Sequence, residues 1–113
     1  MRFKKPADGI TFAEDELERA FNSLAENSPL KKSINKAIVN LKENIFCGEP
    51  IKKDLIPKEY IKKYLINNLW WYPLSKGWRL VYSVVNPNNI EILAVIIEYF
   101  DHKNYARRFG YKK

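Results

Sequence analysis

A chain of 113 residues is long enough for one domain with its own core, and its 46% hydrophobic and 14% aromatic content excludes a disordered segment. The only cysteine, Cys47, excludes an internal disulfide and a cysteine-based metal cluster, and no run of about 18 apolar residues offers a transmembrane helix. The formal charge of +7 favours a polyanionic partner, and it is unevenly spread, with −2 over residues 1–28 and +9 over the remainder. No apolar stretch follows the basic start Met1 to Pro6, so a secretory signal is not expected and a soluble, cytoplasmic protein is.

Asp8-Gly9 reads as a turn, and Thr11-Phe12-Ala13-Glu14 has the spacing of a capping box. A helix is predicted from there to about Ala25, with Leu17, Ala20, Phe21 and Leu24 on one stripe. Glu14, Asp15, Glu16 and Glu18 suit its positive end and splay around the axis, which argues against a metal site. Ser28-Pro29 supplies an N-cap and a first-turn proline for a second helix, which Gly48-Glu49-Pro50 ends. Two helices joined so tightly predict an antiparallel hairpin, with Lys31, Lys32, Lys36 and Lys42 on its outer surface.

Pro57 starts a short third helix ending near Tyr64, and Lys52, Lys53, Lys62 and Lys63 form a basic rim able to hold phosphates. Leu69 to Leu74 is a strand whose proline marks an edge or an ending. Ser75-Lys76-Gly77 turns the chain into Trp78 to Val85, and Asn86-Pro87-Asn88-Asn89 turns it again into Ile90 to Tyr99. The three strands form a meander whose last member, apolar on both faces, is central.

Period-two alternation places Trp78, Leu80, Tyr82 and Val84 on one face of the middle strand and Arg79, Val81, Ser83 and Val85 on the other. A guanidinium on a strand this apolar needs water, a carboxylate or an anionic ligand, and Glu91 and Glu98 on the next strand are the available carboxylates. Beyond that strand, His102 and Tyr105 stand at i and i+3 of one or two helical turns. Lys103, Arg107, Arg108, Lys112 and Lys113 alternate there with Tyr105, Phe109 and Tyr111, and residues 102–113 hold no acidic side chain. Such a segment binds single-stranded RNA, or else is a basic tail whose rings pack on the sheet. Glycine-rich phosphate loops, the HExxH zinc pattern and the GxSxG elbow are absent, so neither a metal nor a cofactor is expected.

Two helices, a meander containing Gly77-Trp78-Arg79-Leu80-Val81-Tyr82-Ser83-Val84, and an apolar strand ending in Asp101-His102-Lys103-Asn104-Tyr105 resemble the RelE/ParE superfamily of toxin-antitoxin toxins. The resemblance is strongest over residues 68–111. It implies an α+β fold, with an N-terminal helical hairpin packed on one face of a twisted antiparallel sheet, a basic groove on the other face, and a short basic C-terminal helix or tail. It also implies a toxin that inhibits translation by cleaving messenger RNA on the ribosome, without a metal, through attack of a ribose 2′-hydroxyl on the adjacent phosphate. Arg79 matches the strand arginine that neutralises the developing phosphorane, and His102 and Tyr105 match terminal proton-transfer positions. Lys76, Lys103, Arg107, Arg108, Lys52 and Lys53 are then the expected RNA contacts.

The family's strand lysines are replaced by Trp70, Trp71 and Tyr72, leaving Lys76 as the nearest ammonium, and Met1 to Lys5 gives no clear counterpart of the usual first strand. For Arg79 a pair with Glu91 or Glu98, for His102 a capping role beside Asp101, and for Tyr105 simple packing are the competing readings. A ParE-like toxin that binds a protein such as DNA gyrase, or a noncatalytic RNA-binding module, are the competing functions. A small acidic antitoxin is the partner implied, and no residue pattern specifies a homodimer.

Overall fold

A computed structural model describes residues 4–109. Five strands form a single sheet in the order β1-β5-β4-β3-β2, where β1 is Gly9–Phe12, β2 Glu49–Pro50, β3 Trp70–Pro73, β4 Arg79–Val85 and β5 Leu93–Phe100. Four α-helices, α1 Asp15–Asn22, α2 Pro29–Glu43, α3 Lys58–Tyr64 and α4 His102–Phe109, and two short 3-10 turns complete the described part. The α+β class and the meander β3-β4-β5 agree with the reading of the sequence. No described helix is long and apolar enough to cross a membrane.

The sheet is mixed, contrary to the antiparallel expectation, because β1 pairs parallel with β5 from Gly9↔Leu93 to Phe12↔Ile96. Residues read as a turn and a capping box therefore make the first strand, and the Thr11 hydroxyl caps nothing; Glu14 is the N-cap of α1 without a side-chain cap bond. Asp8 anchors the strand entry, its carboxylate accepting from Ile92 N at 2.8 Å. On the far side the sheet ends in β2, two residues bonded to Trp70 and Trp71.

Period-two alternation in β4 divides the core in two. Leu80 and Tyr82 join Ala94 and Ile96 of β5 and meet Phe21 of α1 with Ile34, Ala37 and Leu41 of α2. Val81 faces the other way, with Ile97 and Phe100, under Tyr60 of α3 and Tyr105 and Phe109 of α4. The second face is thus roofed by α3 and α4, so the open basic groove implied by the resemblance is replaced there by a second apolar core. The helical hairpin is likewise better described as two helices that both rest on β1 and this first core.

Ser28 caps α2 as expected, accepting from Lys31 N at 3.2 Å with Pro29 at the first turn. Lys31 is not on the outer surface: the residue is 6% exposed. Its Nζ donates to Asn22 O at 3.3 Å and Leu24 O at 3.2 Å, and pairs with Glu26 at 2.6 Å. The ammonium thus takes up backbone carbonyls left over at the end of α1. Lys31→Met keeps the stem and deletes the donors, so it is expected to lower unfolding stability by about 1–3 kcal/mol, read by urea denaturation.

Candidate functional site

β4 begins and β5 ends at the same edge of the molecule, because Arg79 lies opposite Phe100. The turn before β4 needs two left-handed residues, Lys76 at φ 56° and Gly77 at φ 80°. A β-carbon placed on Gly77 would lie 3.8 Å from the His102 Cβ, so the turn abuts the first residue of α4. Lys76, Arg79, His102 and Lys103 therefore gather at one end of the sheet. Lys76, His102 and Lys103 are exposed and Arg79 is half-buried.

The setting of Arg79 is aromatic. Its guanidinium carbon is 4.1 Å from the centroid of the Trp71 ring and 4.4 Å from that of Tyr105. The two centroids are 6.4 Å apart with planes inclined at 60°. These separations put the cation in a near right-angled corner rather than in a sandwich. Two ring contacts hold the guanidinium by cation–π attraction, about 0.5–2 kcal/mol each, without using any of its N–H donors. Neither expected carboxylate reaches it: Glu98 pairs with Arg108 at 2.6 Å, and Glu91 accepts from the Asn88 amide at 3.0 Å. Among the described residues no protein acceptor or carboxylate engages the Arg79 side chain. A cation seated against two rings with its planar fork unengaged by protein has the donors to bind an oxyanion.

Trp71 was not among the expected site residues, although the hairpin contains the signal. Pro73 faces Arg79, which puts Trp71, two residues earlier, on the same face and diagonal to it. Tyr105 is in place but fully buried, at 0% exposure, among Trp71, Phe100 and Phe109. The competing packing reading describes it: its ring positions Arg79, and it is not presented to a substrate as a proton-transfer group.

The other expected RNA contacts separate into two groups. Arg107 is exposed on α4. Arg108 is committed: besides its pair with Glu98 it donates to Tyr60 Oη at 2.9 Å and lies 5.7 Å from the ring centres of Tyr60 and Phe100. The Tyr60 hydroxyl also donates to Glu98, and burial together with that carboxylate pushes the phenol well above its ordinary range. This trio clamps α4 to β5 and α3. Lys52 and Lys53 are exposed beyond β2, remote from the Arg79 corner in the fold. Lys112 and Lys113, with Tyr111, lie outside the described residues.

Glu14 is engaged as well, accepting from Tyr64 Oη at 2.9 Å and pairing with Lys63 at 3.0 Å. Those partners, Lys63 foremost, hold its carboxyl below the usual range. The acidic start of α1 thus ties it to α3. No group of three His, Cys, Asp or Glu side chains among the described residues converges on a metal position. No family model, curated protein or solved structure matches the chain.

Proposed function

We propose that this protein is a RelE-like toxin of a toxin-antitoxin pair, an endoribonuclease that binds a phosphodiester of messenger RNA at Arg79. The observation that carries the reading is the aromatic corner, which seats the guanidinium and leaves its donors unengaged by the protein. In the reaction proposed, the ribose 2′-hydroxyl attacks the adjacent phosphorus in line. The bond to the 5′-oxygen breaks, leaving a 2′,3′-cyclic phosphate and a 5′-hydroxyl. Arg79 neutralises charge on the non-bridging oxygens as the phosphorane forms. His102, exposed beside the turn, is the proton-transfer group, since an imidazole ring can both accept and donate a proton. Lys76, Lys103 and Arg107 extend the positive edge along which RNA would lie. An acidic antitoxin would be drawn to that edge by the same charge.

One observation favours a second reading, a noncatalytic ParE-like toxin acting on a protein target. Burial of Tyr105 leaves His102 alone among the expected groups to serve two proton transfers. Induction of the wild type and of His102→Ala, followed by mapping of RNA ends, separates the two readings. The nuclease reading expects growth arrest with new 5′-hydroxyl and cyclic-phosphate ends, both much reduced in His102→Ala. Arrest without such ends selects the protein-directed toxin.

A further inference from the structure

At the opposite end of the β3-β4 pair a cavity of 500 Å³ opens, within the range of small-molecule sites at about 300–1,000 Å³. It begins where β3 stops pairing. Asn68 continues the ladder with its side chain, its Nδ2 donating to Val84 O at 2.8 Å and its Oδ1 accepting from Val84 N at 2.9 Å. That amide is therefore part of the wall. None of the described residues that line it is charged, in a chain of which 29% is charged. Among the described residues a carboxylate or ammonium ligand would find no counter-ion inside.

The cavity offers rings and amides instead. Phe46 and Trp70 lie 5.5 Å apart, and Trp70 is backed by Tyr82 in a stacked arrangement at 6.2 Å. Leu65, at 86% exposure, adds an apolar side chain at the rim. Asn67 uses its oxygen on Asn68, and Asn86 uses its NH₂ on Glu91 O at 3.0 Å. An amide donor on Asn67 and an amide acceptor on Asn86 stay unengaged by the described protein. Rings with one donor and one acceptor on an uncharged wall suit a nucleobase, whose flat face stacks and whose Watson–Crick edge has both functions.

A second cavity, of 200 Å³, shares Ile66 and Asn67 with the first and is lined by Lys53. Lys53 has no ion pair among the described residues. The two cavities thus share part of their walls, with Lys53 lining the second. We infer that Phe46, Trp70, Asn67 and Asn86 form a second nucleotide subsite, which takes an unpaired base of single-stranded RNA with its phosphate on Lys53. The inference rests on the RNA reading above but uses none of the Arg79 corner. Val85 is six residues along β4 from Arg79, about 20 Å at strand rise, so the two sites hold different nucleotides of one strand.

The test uses the full chain with a 2′-O-methylated uridine dodecamer carrying a single 4-thiouridine, which resists 2′-hydroxyl attack. Photo-cross-linking followed by peptide mapping is expected to mark Phe46 or Trp70, and to do so still in Arg79→Ala. Lys53→Glu, at an exposed position, is expected to weaken binding about five- to tenfold with the melting temperature unchanged. Cross-links confined to Trp71, Trp78 or α4, with unchanged affinity in Lys53→Glu, would overturn the subsite and leave the RNA reading standing. Absence of RNA binding and of any cross-link would overturn both.

Discussion

Arg79→Ala is expected to relieve growth arrest and to lower RNA cleavage about 100- to 1000-fold, the loss typical when a preorganised donor to a developing oxyanion is removed. The fold should survive, because the side chain contributes only its two ring contacts to stability and leaves no buried partner unpaired. Circular dichroism melting checks that clause, and quantification of cyclic-phosphate ends checks the first. Arg79→Lys is not expected to rescue. An ammonium keeps the charge but lacks the planar fork and the flat face that the corner of Trp71 and Tyr105 holds in place. Cleavage at the wild-type rate in Arg79→Ala would remove the phosphate-anchor assignment.

The largest effect on stability is expected at Gly48. A β-carbon there would lie 2.6 Å from Trp71 O and 2.8 Å from Tyr82 Oη, far inside contact distance. Neither neighbour is able to retreat cheaply. Trp71 O belongs to the β3 backbone, and the buried Tyr82 hydroxyl is fixed by donating to Ile45 O at 2.8 Å and accepting from Gly48 N at 3.1 Å. Gly48→Ala should cost about 3 kcal/mol, an overpacking penalty compounded by strained hydrogen bonds, and should lower the melting temperature by about 10 °C. Differential scanning calorimetry reads both. A change below 1 kcal/mol would show that the β2 edge yields more readily than its bonding indicates.

Local signals made much of the sheet legible in the sequence. The alternation through Trp78 to Val84 is reproduced by the division of Leu80, Tyr82 and Val81 between the two cores, and Ser28-Pro29 marks the start of α2. What stayed hidden depends on distant partners. Four residues of β1 are extended because β5 receives them in parallel, whereas their own composition favours a turn and a cap. The strand β5 also contains an irregularity: Val81 faces Glu98 but Tyr82 faces Ile96, so Ile97 is an extra residue. Strict alternation past Ile96 would send Glu98 toward α2. The bulge returns it, and Phe100, to the face of Arg79, where Glu98 meets Arg108 instead of the strand arginine. The gathering of Arg79, His102 and Lys76 at one end of the sheet was legible from order and spacing. Trp71 as a partner is contained in the hairpin register, whereas the burial of Tyr105 and the commitment of Arg108 follow from how α4 lies on the sheet, which no local pattern records.

The parallel pairing of β1 with β5 also orders events in time. Asp8 receives its partner Ile92 across 84 residues, and Tyr105 is still further along the chain. Contacts of that span form late in folding and late in synthesis. A nascent chain lacking α4 has Arg79 but only one wall of its corner. The aromatic corner is therefore completed only once α4 has followed β5 out, and under the proposed function a growing chain would lack its phosphate anchor until then.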